Sequence, residues 1–169
     1  MIPGGSITVS MERKNSMKRI IVIVDGMGGG IGVQLIGKIR ELIDRDWPGQ
    51  WDIVALGTNS TATERMVKAG AHRGATGENA VKVSVGMGEF ILGPIGIVLA
   101  NSLMGEISPA MAQAVLAAPG ERILIPIQQD HFTLAGFDPM PLGKMVEKAV
   151  EILKEKMGQA EKIATKGSK

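Results

Sequence analysis

The chain reads as an α/β protein: one domain with a mostly parallel sheet between two layers of helices. Three features predict this. The apolar runs at residues 20–24 and 52–56 are short and do not alternate with polar residues, as expected of strands buried on both faces. A helical apolar pattern follows each run, and strand–helix–strand–helix order favours a parallel sheet with helical crossovers. Between the first run and its helix stand five glycines in seven positions: Gly26, Gly28, Gly29, Gly30 and Gly32.

The elements follow in order. Residues 1–17 are rich in Gly, Ser and charge and read as a disordered arm; Met11 and Met17 are alternative starts to Met1. The first strand covers 20–24. Ile31, Leu35, Ile36, Ile39, Leu42 and Ile43 then recur at helical spacing, and Trp47-Pro48-Gly49 breaks the helix. After the second strand, Thr61 and Glu64 fit a capping box for a short helix, and Gly70 suits its end. Val81, Val83 and Val85 alternate with Lys82 and Ser84, which predicts a strand. Only Gly86-Met87-Gly88 separates it from the apolar 90–92, so one crossover helix is expected to be missing or very short. Ser108 and Pro109 form the cap and first position of a helix that Pro119-Gly120 ends. A strand is expected at 122–127 and a short one at 132–135. Met145, Val146, Ala149, Val150, Leu153 and Met157 make the stripe of a closing helix with Gly158 beyond it, so the domain is expected over 18–157 with a loose tail at 158–169.

Composition removes several chemistries. The chain has 169 residues and no cysteine, so disulfides, thiolate catalysis and cysteine metal sites are excluded. A cytoplasmic setting is the expectation. No apolar run reaches the roughly 20 residues of a membrane helix, so no membrane partner is expected. The net charge of +2 is uneven: residues 1–19 and 140–169 carry +3 each, which leaves the middle at −4. With five aromatic residues and no basic stripe, a nucleic-acid partner is not expected either.

The glycine cluster is the main chemical signal. A strand, a glycine turn and a helix start form a cradle for an anion, because glycine permits close backbone approach and the helix offers unpaired N–H groups. The dinucleotide spacing G-x-G-x-x-G fails: its sixth position is Ile31 counted from Gly26 and Val33 counted from Gly28. G-x-x-x-G-x-G fits through Gly26, Gly30 and Gly32 and resembles the nucleotide loop of short-chain dehydrogenases. The bland alternative is a tight turn that lets strand and helix pack closely. The dehydrogenase chemistry itself is excluded, because its catalytic tyrosine has no counterpart in a chain without tyrosine.

Four stretches, at 24–32, 55–59, 74–80 and 92–108, carry a wider resemblance. They include Ala-Leu-Gly-Thr-Asn, Gly-Ala-Thr-Gly-Glu-Asn-Ala, Gly-Pro-Ile-Gly-Ile and Gly-Glu-Ile-Ser-Pro. Together they resemble a family of short prokaryotic proteins catalogued only as a domain of unknown function. The resemblance would span about residues 18–152, and it supports a Rossmann-like fold without implying an activity.

An open α/β sheet binds its ligand at the carboxyl ends of its strands. That rule gathers residues 25–32, 57–60, 93–96 and 128–131 on one edge. The expected binding residues are Asp25, Gly26, Met27, Gly28, Gly29, Gly30, Ile31, Gly32, Thr58, Asn59, Gly93 and Pro94. The expected ligand is a nucleotide, NAD(P) among the candidates, or another phosphorylated small molecule. A ribose-binding acid is missing from the end of the second strand, which reads Gly57-Thr58-Asn59. Asp25 is either a Mg²⁺ ligand or an acceptor that locks the turn. His131 is either a general base or structural; Asp130 is poorly placed to orient it, because neighbours in a strand face opposite ways. Arg73, Thr76, Glu78 and Asn79 form a polar cluster that is either a lid or a helix cap. No metal-ligand spacing is present. Three functions stay open: a binding module, a small enzyme acting on a phosphorylated compound through Asp25, Glu78 or His131, and a homo-oligomeric interaction protein with a purely structural turn. A homo-oligomer is compatible with the first as well.

Overall fold

A computed structural model describes residues 17–127 and 133–166. Five strands form one sheet: β1 Arg19–Asp25, β2 Trp51–Gly57, β3 Arg73–Thr76, β4 Phe90–Pro94 and β5 Glu121–Ile125. All pairings are parallel, in the order β3-β2-β1-β4-β5. Five helices connect and cover them: α1 Gly30–Asp46, α2 Ser60–Lys68, α3 Glu78–Ser84, α4 Pro109–Ala117 and α5 Leu142–Lys166. This is the Rossmann-like three-layer α/β architecture that the sequence predicts.

The sheet separates two apolar cores by the period-2 geometry of its strands. Ile21, Ile23, Ile53, Ala55, Phe90 and Leu92 face α1, α2 and α5. Val22, Val24, Val54, Leu56 and Ile91 face α3, α4 and the turns before α4. Both faces are therefore dry, which is why β1 reads as an unbroken apolar run. Central register pairs Ile21 with Ile53 and Phe90, and Ile23 with Ala55 and Leu92.

Three sequence expectations differ from the structure. Residues 81–85 are not a strand. Val81 belongs to α3 and Val85 to the 3₁₀ turn that follows it; both are buried, whereas Val83 between them is 71% exposed. A spacing of four places Val81 and Val85 on one helical face, and the intervening valine only imitates strand alternation. The strand lies earlier, at Arg73–Thr76, where an exposed edge gives little apolar signal. Its crossover to β4 is α3 itself, so no helix is missing. Second, the short strand expected at 132–135 does not form over 133–135; Phe132 lies outside the described residues. Third, α5 continues through Gly158 to Lys166 where a loose tail was expected. Met157 is fully buried beside Gly158, and such packing outweighs the ~1 kcal/mol that glycine costs in a helix. The arm expected at 1–17 falls, apart from Met17, outside the described residues.

Candidate functional site

Parallel strands end on one edge, and the glycine turn, Thr58 and Asn59 lie there. Strand order runs β1 to β2 to β3 in one direction, then returns across the sheet to β4 and β5. The reversal lies between β1 and β4. Two segments leave the edge at that point: residues 26–29 between β1 and α1, and residues 95–108 between β4 and α4.

Asp25, the last residue of β1, organises the first segment. It is 3% exposed, and its two oxygens accept from Gly26 N–H at 2.8 Å and Gly32 N–H at 2.7 Å. Burial pushes its carboxyl up from the usual range, against the amides of Gly32, Gly26 and Ile31, and the charge of Glu106 adds to the rise. Gly29, at φ +67°, is the N-cap of α1 and has no side chain to cap it, so Asp25 caps the helix from within the sheet. The turn-locking role describes this geometry. Among the described residues no three His, Asp or Glu side chains cluster as a metal site.

The glycines divide into two sets. Gly26, Gly29 and Gly32 are buried. A Cβ at Gly26 would stand 2.5 Å from Thr58 Oγ1 and 2.6 Å from Glu106 Oε2, one at Gly29 would stand 2.9 Å from Ala62 Cα, and one at Gly32 would collide with Met66 Sδ. Gly28 and Gly30 are exposed, and a Cβ on Gly30 would meet nothing within 4 Å. The packing triplet is therefore Gly26, Gly29 and Gly32, and Gly30 belongs to the open set. Asp25 takes the Ile31 and Gly32 amides; Gly30 N–H keeps no partner among the described residues.

Thr58 and Asn59 follow β2. Thr58 N–H donates to the Asp25 carbonyl at 3.0 Å. Asn59 is the N-cap of α2: its Oδ1 accepts from Ala62 N–H at 2.9 Å, and its Nδ2 donates to the Met27 carbonyl at 2.9 Å. The cap thus lies two residues before the Thr61 that sequence suggested. Arg65, one turn into α2, donates from Nη1 to the Gly28 carbonyl, which sets a guanidinium beside the glycine turn. Gly93 and Pro94 belong to β4 and are buried; a Cβ on Gly93 would strike the Val24 carbonyl, so this glycine serves strand pairing.

Glu106 is the residue that sequence reasoning missed. It reaches across the reversal point from the segment before α4. Its Oε2 accepts from Met27 N–H and Thr58 Oγ1, each at 2.5 Å, and both its oxygens lie 3.2 Å from Asn59 Nδ2. Desolvation pushes this carboxyl up, but the Met27, Thr58 and Asn59 donors prevail and hold it below the usual carboxylate range. It is ionised at neutral pH. The one sequence signal for it was its place in Gly-Glu-Ile-Ser-Pro.

Of the other candidates, Thr76, Glu78 and Asn79 leave the carboxyl end of β3 on the same edge, and Arg73 begins that strand. Arg73 and Thr76 lie in edge strand β3, where Thr76 Oγ1 donates to Thr63 Oγ1 at 2.7 Å; Glu78 and Asn79 open α3, whose N-cap is Gly77. They are parts of regular elements, neither a lid nor a Thr76 cap. His72 accepts from Ile53 N–H through Nδ1 at 2.8 Å and ties the start of β3 to β2. Ser102 donates to the Gly96 carbonyl inside its own turn. Residues 128–131, with Asp130 and His131, lie outside the described residues.

Residues 20–158 match the family model described as Domain of unknown function (DUF3842). The chain belongs to this family. Its match spans the glycine turn, the Thr58–Asn59 pair and Glu106, so the whole edge constellation falls inside the family's domain. No curated protein and no solved structure matches the chain. Among the described residues no helix is long and apolar enough to cross a membrane.

Proposed function

We propose that the chain binds a nucleotide or another phosphorylated small molecule in the crevice outside the carboxyl ends of the strands, where residues 26–30 meet the segment that carries Glu106. One observation carries the reading: the strand order reverses between β1 and β4, and the exposed glycines Gly28 and Gly30 stand at that reversal. Ligands of open α/β sheets bind at such a switch point. The residues present fit a phosphate. Gly30 N–H at the start of α1 supplies an unpaired donor in the positive field of a 17-residue helix. Arg65 supplies a cation at Gly28. Asp25 is turned inward on backbone amides and does not face the crevice as a bare charge. No chemical step is assigned to this edge.

Calorimetric titration with adenine, nicotinamide and flavin nucleotides and with sugar phosphates tests the reading. At least one should bind with a Kd below about 100 μM, equivalent to roughly 5.5 kcal/mol. Gly30→Val should weaken that binding tenfold or more without loss of fold, because its side chain enters open space. Absence of binding by every member would remove the reading.

A second reading is a self-associating protein whose glycine turn is purely structural. It is favoured by the exposure of Val83, Met87 and Leu116 on the α3 and α4 side of the sheet. Light scattering that shows a monomer at micromolar concentration would dismiss it.

A further inference from the structure

We infer that Glu106 is the acceptor for a ribose diol, so that the crevice selects a ribonucleoside phosphate with a free 2′-hydroxyl. The inference rests on the nucleotide reading above. In this strand order the ribose of a bound nucleotide lies at the carboxyl end of the second strand, where an acid from that strand usually receives its hydroxyls. Here that strand ends in Gly57, Thr58 and Asn59 and offers no acid. The structure supplies the carboxylate from the opposite side of the switch point: Glu106 is hydrogen-bonded to Thr58 and Asn59 themselves and to Met27 of the glycine turn.

The two oxygens of Glu106 are not equivalent. Oε2 takes three donors, from Met27, Thr58 and Asn59, whereas Oε1 has only the 3.2 Å contact with Asn59. An ionised carboxylate has about four acceptor sites, so Oε1 keeps capacity for hydroxyl donors. Glu106 is partly exposed, which leaves that capacity within reach of a ligand.

The carboxylate is also held in place. Its segment folds back on itself, with Asn101 N–H donating to the Ile107 carbonyl at 2.7 Å and Ile107 N–H to the Ser102 carbonyl at 3.3 Å. Ile107 beside it is fully buried. A fixed acceptor suits diol recognition, because little ordering is needed on binding. The negative charge also acts against a ligand phosphorylated at the 2′ position.

The test is calorimetric titration of the full chain with the four common ribonucleoside diphosphates, their 2′-deoxy counterparts, adenosine 2′,5′-bisphosphate and inorganic phosphate. The best ribonucleotide should bind about 10-fold or more tighter than its 2′-deoxy form, the scale of one hydrogen bond to a charged group. The 2′-phosphorylated compound should bind more weakly still. In Glu106→Gln the ribose-to-deoxyribose ratio should fall within about threefold. Equal binding of ribo and deoxy forms by the wild-type chain would overturn the inference while leaving nucleotide binding intact. So would a ratio that survives Glu106→Gln. Failure of every nucleotide and of phosphate would remove the nucleotide reading with it. Should Glu106→Gln not fold, the wild-type comparison decides alone.

Discussion

Asp25 shows how one side chain can build a turn and withdraw from the chemistry beside it. Each of its oxygens serves a different backbone N–H, so its isostere is a sharp test: asparagine keeps one acceptor and turns an N–H₂ toward the other donor. Asp25→Asn should therefore destabilise the fold by about 1–3 kcal/mol in urea unfolding. The glycines offer a matched contrast. Gly93→Ala forces a Cβ onto the Val24 carbonyl and should cost about 1–3 kcal/mol. Gly30→Ala enters open space at the first turn of α1 and should be neutral or stabilising by up to about 1 kcal/mol. Equal losses at the two positions would contradict the division of the glycines into packed and open sets. That division was hidden in the sequence, because glycine is one letter whether it admits a neighbour or a ligand. Glu106 was hidden for a different reason: its partners are 47, 48 and 79 residues away, beyond any local pattern.

At the scale of elements, β1, β2, α1 and α4 were legible because local signals agreed with burial: apolar runs, a 3.6-residue stripe, and a Ser108 cap that accepts from Met111 N–H at 3.2 Å. The β3–α3 region was not. Edge strand β3 lacks an apolar face, and the valines of α3 imitate a strand. The start of β3 carries a pH-dependent joint in His72. Burial, opposed by Asp52, lowers the imidazole's affinity for a proton in the folded chain, and Nδ1 must stay unprotonated to accept from Ile53 N–H. The unfolded state thus binds the proton more readily, and stability rises with pH through that window. As pH falls below about 6.5, the ordinary histidine value, the contribution of this joint should shrink. Thermal melts between about pH 7.5 and 5.5 should show a smaller drop in Tm for His72→Asn than for the wild-type chain. An identical drop would contradict the assignment.

At the scale of the whole molecule, the sheet is covered by an apolar core on each face. Leu153 is fully buried on α5 and packs into the core that α1, α2 and the sheet share. Leu153→Ala should cost about 2–5 kcal/mol while leaving the carboxyl edge intact, so any ligand affinity should be kept. The three-layer class was readable because doubly buried strands and amphipathic helices follow from composition and period. The place of the switch point was not, because strand order is a property of the folded sheet. The central claim is that a nucleotide occupies that switch point. Amide chemical shifts of the isotope-labelled chain, recorded during titration with the best-binding nucleotide, test it most directly. The account predicts shifts concentrated at Met27, Gly28, Gly30, Thr58, Asn59 and Glu106. Unchanged shifts at these residues under saturating nucleotide, or perturbations confined to another face of the sheet, would contradict it.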